Sequence, residues 1–323
     1  MKKADIGIVG LGVMGQSLSL NLAGQGYTVA VYNRERSRVD EFVSGRAREK
    51  EIVGTYSWQE LAAALERPRK VFLMIKAGPP VDSVINELLA VLEPGDVIMD
   101  GGNSHFRDTI RRHSLLSGKG ILYLGIGISG GEEGALRGPS IMPGGDREAW
   151  KLVSELVISI AAKTSEGEPC CTYLGPGGVG HFVKTVHNGI EYGDMQLISE
   201  AYFLMQKLLD MPALEIGQVF QRWNQGELKS YLMEISADIL TRVDDQTGQP
   251  LVDVILDEAE QKGTGKWTAQ EAMELGVPTP TIAEAVFTRS LSALKTERVL
   301  ASRSLLGPEV HFDGDKPRLL EDI

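Results

Sequence analysis

Cysteine, long apolar runs and positive charge are what this 323-residue chain has least of. Its two cysteines, Cys170 and Cys171, are neighbours. A disulfide between adjacent residues is strained and two thiols alone do not make a zinc site, so a disulfide scaffold and a zinc fold drop out, leaving ordinary thiols of a reducing compartment. No stretch approaches the ~20 continuous apolar residues of a membrane helix. A strand pattern begins within four residues of Met1, where a secretory signal would need a charged segment and then a long apolar one. Lysine and arginine total 33 against 44 aspartates and glutamates, a net charge of −11. Nucleic-acid surfaces need a basic face for phosphate, so that class is argued against and only a local basic pocket stays open. A soluble, cytoplasmic protein with neither nucleic-acid nor membrane partners is expected.

Glycine, by contrast, is in excess: 37 of 323 residues, about 11% against a typical ~7%. That surplus points to many close backbone approaches. At ~100–200 residues per domain the length calls for two domains, each able to bury a core without metal or disulfide help. Short apolar runs at Ala4–Gly10, Tyr27–Tyr32, Lys70–Ile75, Asp96–Asp100, Ile121–Ile126 and Cys171–Leu174 alternate with helix-patterned stretches. Most are too uniformly apolar for a half-exposed strand, which predicts a parallel, doubly wound Rossmann-type sheet covered by helices on both faces. Beyond Gly175-Pro176-Gly177-Gly178 the pattern turns helical, at Gly178–Leu209, Ala213–Asn224, Glu227–Arg242, Leu251–Lys262 and Thr281–Ser304. The chain therefore reads as an α/β dinucleotide-binding domain over 1–177 and an all-helical domain over 178–323. Residues 316–323 begin another amphipathic pattern where the chain stops, so the helical domain reads as incomplete, with that segment frayed or docked on a neighbouring chain.

Gly10-Leu11-Gly12-Val13-Met14-Gly15 follows the first strand and opens a helix. There the first glycine permits the turn, the second lets N–H groups approach a pyrophosphate, and the third lets helix and strand pack closely. The dinucleotide is chosen at the tip of the second strand, Asn33-Arg34-Glu35. An amide and a guanidinium there favour the 2′-phosphate of NADP, while Glu35, unless it turns to solvent or pairs with Arg36 or Arg38, costs phosphate affinity and leaves NAD open. Ile75-Lys76-Ala77-Gly78 and Gly101-Gly102-Asn103-Ser104 end two further strands, at the edge where open α/β sheets bind ligands, and are expected to wall the nicotinamide side.

Ser129-Gly130-Gly131 opens a glycine-rich segment whose N–H groups suit an anion such as a carboxylate. Lys184, His187, Asn188 and Glu191 follow at i, i+3, i+4 and i+7, on one face of the long helix, beside Gly189 and Gly193, which each cost a helix about 1 kcal/mol. Burial and nearby positive charge would let Lys184 lose its proton and act as a base, and Glu191 would deliver a proton to carbon if desolvation kept it neutral. Lys262, Lys266 and Arg289, set around Gly263-Thr264-Gly265, are basic groups of a phosphate-binding kind.

Together these segments, with Lys184-Thr185-Val186-His187-Asn188-Gly189-Ile190-Glu191-Tyr192-Gly193 and Lys262-Gly263-Thr264-Gly265-Lys266-Trp267, resemble the 6-phosphogluconate dehydrogenases of the long, decarboxylating type over essentially the whole chain. The resemblance implies oxidation of 6-phosphogluconate at C3 by NADP, loss of CO2 and protonation of an enediol to ribulose 5-phosphate, a step of the pentose phosphate pathway, in a metal-free homodimer. It implies Lys184 as base and later acid, Glu191 as the acid at C1, and Asn103, Ser129, Gly130, Gly131, His187 and Asn188 as substrate-orienting groups. Tyr192, Lys262, Thr264 and Arg289 fall at its phosphate contacts, while Gly10–Gly15, Asn33–Glu35, Ile75–Ala77 and Asn103 fall at its cofactor contacts. The departures are Glu35 for a small hydroxyl residue, Glu260 for a small residue, and a family tail that runs on beyond Ile323 and brings an arginine and a histidine to the neighbouring subunit's phosphate site. NADP binding by this chain is then expected to be intact and phosphate binding weak. The rival readings are a small-acid β-hydroxyacid dehydrogenase, which lacks a reason for Lys262–Trp267, and a non-catalytic NADP-binding module.

Overall fold

The computed structural model describes residues 2–307 and 310–323. The chain divides into two compact units, Met1–Thr185 and Val186–Ile323. In the first, β1 (Ile6–Val9), β2 (Val29–Tyr32), β3 (Ile52–Thr55), β4 (Lys70–Leu73), β5 (Val97–Asp100), β6 (Leu122–Ser129) and β7 (Ser140–Gly145) make one sheet in the order β3-β2-β1-β4-β5-β6-β7. Helices α1 (Val13–Gly24), α2 (Arg36–Ser44), α3 (Trp58–Ala64), α4 (Pro79–Leu88) and α5 (Phe106–Ser117) link the first six strands, α6 (Gly131–Arg137) links β6 to β7, and α7 (Arg147–Ser159) follows. The first six strands pair in parallel, and β7 is antiparallel to β6. Alternate strand residues enter different cores. Ile6, Ile8, Phe72, Val97, Met99 and Leu124 join one apolar cluster, whereas Val9, Ala30, Val71, Leu73, Ile98 and Tyr123 join the other. Both faces are thus covered, which is why these strands read as continuous apolar runs.

Three strand expectations change. The edge strand β3 is covered at its two ends only, with Val53 exposed and Gly54 in its middle, so it does not register as an apolar run. In β7, Ser-Ile-Met-Pro-Gly-Gly has the composition of a turn. Cys171–Leu174 is not a strand: it gives one isolated bridge, Cys171 to Ile141, and one hydrogen bond from Leu174 N to Pro143 O at 2.9 Å. Pro143 has no N–H to return, so no ladder propagates.

The second unit is helical. Helix α8 (Val179–Leu208) crosses the division between units and is followed by α9 (Ala213–Trp223), α10 (Tyr231–Thr241), α11 (Leu251–Val254), α12 (Thr264–Leu275), α13 (Pro280–Ser292), α14 (Lys295–Ser302) and α15 (Lys316–Asp322). The helix expected from Glu227 starts at Tyr231, because Ser230 caps it by accepting from Met233 N at 3.1 Å. The one expected over Leu251–Lys262 stops at Val254. Beyond it the chain is tied down by bonds from Ala259 N to Ser292 Oγ (2.9 Å), Gln261 Nε2 to Ser290 Oγ (3.0 Å) and Arg298 Nη1 to Asp257 Oδ2 (2.8 Å). Thr281–Ser304 splits into α13 and α14, with Arg298 Nη2 donating to Ser292 O at 2.9 Å across the break. Gly263-Thr264-Gly265 opens α12, which is bounded by left-handed Gly263 (φ 94°) and Gly276 (φ 66°).

Residues Lys316–Asp322 form α15 instead of fraying. Asp315 caps α15 by accepting from Arg318 N at 3.2 Å, and Leu319, Leu320 and Ile323 pack against the cluster of the same unit that contains Met205, Ile216, Phe220 and Met233. Among the described residues no helix is long and apolar enough to cross a membrane.

Candidate active site

Strand order reverses between β1 and β4, so the crevice of a doubly wound sheet opens at the carboxyl ends of these two strands. Gly10 sits there at φ 101°, where an added Cβ would come 2.5 Å from Met74 O. A Cβ on Gly15 would enter the Gly10 carbonyl, while one on Gly12 meets nothing within 4 Å. The protein's own packing therefore accounts for the first and third glycines, and the second faces open space at the N-terminus of α1, where unpartnered N–H groups favour an anion. Leu11 takes part in fixing the turn: its N–H donates to Asn33 Oδ1 at 3.1 Å. Asn33 Nδ2 donates to Glu35 O at 3.3 Å, so this amide braces the loop rather than standing free for a phosphate. Glu35, discordant in the sequence, is neutralised by Arg38 Nε at 2.7 Å, and Arg34 is exposed at the strand tip. These features fit NADP.

Lys76 and Asn103 are exposed, and Ile75 and Ala77 half-buried, at the same edge of the sheet. Ser129 ends β6, opposite Ser140 of β7, and Gly130 (φ 131°) and Gly131 (φ 61°) turn the chain into α6. Helix α8 begins against this strand pair. A Cβ on Gly180 would overlap the backbone of Gly125, Met142 and Gly144, and one on Gly127 would lie 2.5 Å from the Cβ of Lys184. Gly180 of α8 and Gly127 of β6 thus let the helix seat Lys184, 6% exposed, beside Gly127, which stands two residues before Ser129 on that strand.

His181, one turn before Lys184, was not singled out in the sequence. It is fully buried, with Nδ1 2.7 Å from Thr109 Oγ1 and no hydrogen-bond partner for Nε2 among the described residues. Burial pushes its pKa down, against the opposing pull of the Asp100 carboxylate, while Arg112 lowers it further. As pH falls below ~6.5 the unfolded chain takes this proton before the folded one does, so stability is full above that pH and is lost below it. Replacing His181 by glutamine is expected to reduce the pH slope of the unfolding free energy just below ~6.5 by up to one proton, about 1.4 kcal/mol per pH unit. Urea titrations across this range measure it, and an unchanged slope would exclude a neutral buried His181.

In the second unit α8, α12 and α13 bring six of the candidate residues into contacts with one another. His187 Nδ1 lies 3.2 Å from Asn188 Oδ1, and Asn188 Nδ2 donates to Thr264 Oγ1 at 3.2 Å. The glycine at 189 is explained by Thr268, whose side chain would be 2.6 Å from a Cβ there. Arg289 stacks 4.0 Å from the centroid of the Tyr192 ring and donates to Glu260 O at 2.7 Å, which holds a charged group beside the start of α12. Lys262 is exposed just before that start. Glu191 pairs with His187 at 3.7 Å but its side chain stays 41% exposed. The desolvated setting expected for this carboxyl is therefore not provided by the described residues.

A doubly wound sheet with a glycine turn at its switch point, followed by a helical unit, defines a two-domain protein of the dinucleotide-binding class. The family models for the NAD binding domain and the C-terminal domain of 6-phosphogluconate dehydrogenase match residues 5–175 and 180–323, and the chain belongs to that family. The NADP-dependent, decarboxylating 6-phosphogluconate dehydrogenase of Bacillus subtilis is 57% identical, covering 100% of this chain and 69% of the relative. The decarboxylating enzyme 1 of Saccharomyces cerevisiae is 56% identical over 99% of this chain and 65% of its own length. The solved 6-phosphogluconate dehydrogenase of Plasmodium falciparum, studied in apo form and with NADP+ and 6-phosphogluconate, aligns with a TM-score of 0.91 at 45% identity, covering 98% of this chain and 68% of that one. The chain spans about two thirds of the length of these relatives.

Proposed function

We propose that this chain catalyses the oxidative decarboxylation of 6-phospho-D-gluconate to D-ribulose 5-phosphate with reduction of NADP. The observation that carries this reading is Lys184, buried beside Gly127 on a strand that leads into Ser129-Gly130-Gly131. Lys184 takes the C3 hydroxyl proton, and burial is what favours its neutral, basic form. NADP supplies the acceptor for the C3 hydride. Cleavage of the carboxylate bond of the resulting 3-keto acid releases CO2 and leaves its electron pair in an enolate, whose C3 oxygen takes the proton back from Lys184 to give the enediol. Glu191 then delivers a proton to the carbon that becomes C1 of the product while the enediol hydroxyl at the neighbouring carbon returns its proton to Lys184. Ser129, Gly130, Gly131, Asn103, His187 and Asn188 orient the sugar acid, and Lys262, Thr264, Tyr192 and Arg289 take its phosphate. Homodimer assembly and a cytoplasmic setting belong to the same proposal and rest on family membership. NADPH formation with equal CO2 release from 6-phosphogluconate tests the reading; NADPH from small unphosphorylated β-hydroxyacids alone would replace it with the small-acid alternative.

Cofactor choice follows from the second strand tip. With Asn33 engaged by Leu11 and Glu35 by Arg38, the exposed Arg34 is the group left to meet a 2′-phosphate. Arg34→Ala is expected to weaken NADP by roughly 1.5–3 kcal/mol, as for a hydrogen bond between charged groups, while leaving NAD nearly unchanged. Calorimetric titration with both cofactors decides, and equal losses would show that Arg34 does not read the phosphate.

A further inference from the structure

We infer that Arg112 is a positioning residue whose buried guanidinium locks together the two turns on the nicotinamide half of the cofactor crevice. The inference rests on the dinucleotide reading of that crevice. In a doubly wound sheet the cofactor lies across the switch point with one nucleotide on each half. Here β1, β2 and β3 carry Gly10–Gly15 and Arg34, so the other nucleotide falls to the turns after β4 and β5.

Arg112 comes from α5 and is fully buried. Its Nε and Nη2 each donate to one Asp82 oxygen at 3.0 Å, Nη2 also donates to Gly78 O at 2.9 Å, and Nη1 reaches Ser104 Oγ at 3.2 Å and Asp100 Oδ2 at 3.4 Å. Gly78 closes the turn after β4 at φ 91°, and Ser104 belongs to the turn after β5. Asp100, also fully buried, accepts from Ser104 Oγ at 2.7 Å, Gly102 N at 3.1 Å and Tyr123 OH at 3.1 Å. One guanidinium therefore holds both turns directly, and a second time through Asp100. The turns also touch, since a Cβ on Gly102 would lie 3.0 Å from Ile75 O.

Burial works against the charge on Arg112, but Asp82 and Asp100 more than offset it and keep the guanidinium above its ordinary range; the same contact holds Asp82 below the usual carboxylate range. Ions this deep are costly, and apolar side chains of similar volume often give equal or greater stability. What an apolar side chain lacks is a planar fork that reaches two carboxylates, a carbonyl and a hydroxyl at once. The turns so fixed carry Lys76 and Asn103 at their tips, and the reacting ring of a dinucleotide requires placement to a fraction of an ångström.

The test compares NADP with 2′,5′-ADP, which has the adenosine half and the 2′-phosphate but lacks the nicotinamide half. Calorimetry on Arg112→Met and Ser104→Ala, read per folded site, is expected to show NADP weakened by about tenfold for Arg112→Met and about threefold for Ser104→Ala, the scale of lost charge-assisted and neutral hydrogen bonds, with 2′,5′-ADP unchanged. A change in melting temperature with the NADP-to-2′,5′-ADP affinity ratio preserved in both variants is the signature of a merely structural role and overturns the inference. If Arg112→Met does not fold, Ser104→Ala and Asp82→Asn decide by the same ratio. Failure of the unaltered protein to bind either compound would instead remove the cofactor reading on which the inference stands.

Discussion

Replacing Lys184 by methionine is expected to lower hydride transfer from 6-phosphogluconate by about a hundred- to ten-thousandfold, the usual contribution of a positioned general base. Methionine keeps the length and the apolar stem that packs beside Gly127, so the loss is that of the amine rather than of the helix seat. NADP affinity should change little, because the glycine turn and Arg34 lie at other strand ends. Glu191→Gln is expected to behave differently, retaining oxidation but slowing protonation of the enediol. Single-turnover absorbance at the NADPH band separates the first step, and deuterium incorporation at C1 of ribulose 5-phosphate reports the last. Hydride transfer at the unaltered rate in Lys184→Met would remove the lysine from the reaction.

Gly180→Ala is expected to cost both stability and turnover. Within a helix, alanine is favoured over glycine by about 1 kcal/mol, so propensity alone would stabilise the variant. Against this, the new Cβ would overlap main-chain atoms of Gly125, Met142 and Gly144, none of which is able to rotate away. Overpacking of this kind typically costs about 1–3 kcal/mol and sometimes more, so sterics should win, with α8 lifting from β6 and carrying Lys184 with it. Gly12→Ala is the contrasting case, since a Cβ there meets nothing within 4 Å; its stability should stay within ~0.5 kcal/mol of the unaltered protein. Urea unfolding of the two variants makes the comparison. An unaltered midpoint and turnover for Gly180→Ala would show that the close seat of α8 is not required.

The parts of this protein legible in the chain were those whose cause is local. Continuous apolar runs identified strands buried on both faces, and Gly10–Gly15 directly after the first of them marked the turn at the sheet edge, because steric rules for glycine act within a few residues. The polar stripe from Lys184 to Glu191 was likewise readable as one helix face from its spacing alone. Tertiary structure decided what depends on partners far along the chain. β7 became a strand despite Pro143 because β6 supplied a partner, and the end of the chain found its own core in Met205, Phe220 and Met233. Asn33 turned from a candidate phosphate ligand into a brace for Leu11, a pairing across 22 residues that no local pattern announces. Arg112 reads in sequence as one more charge on an amphipathic helix, yet it is fully buried against Asp82 and Asp100, 30 and 12 residues away. Burial of a charge is settled only when its counter-charges arrive, and they arrive through the folded sheet.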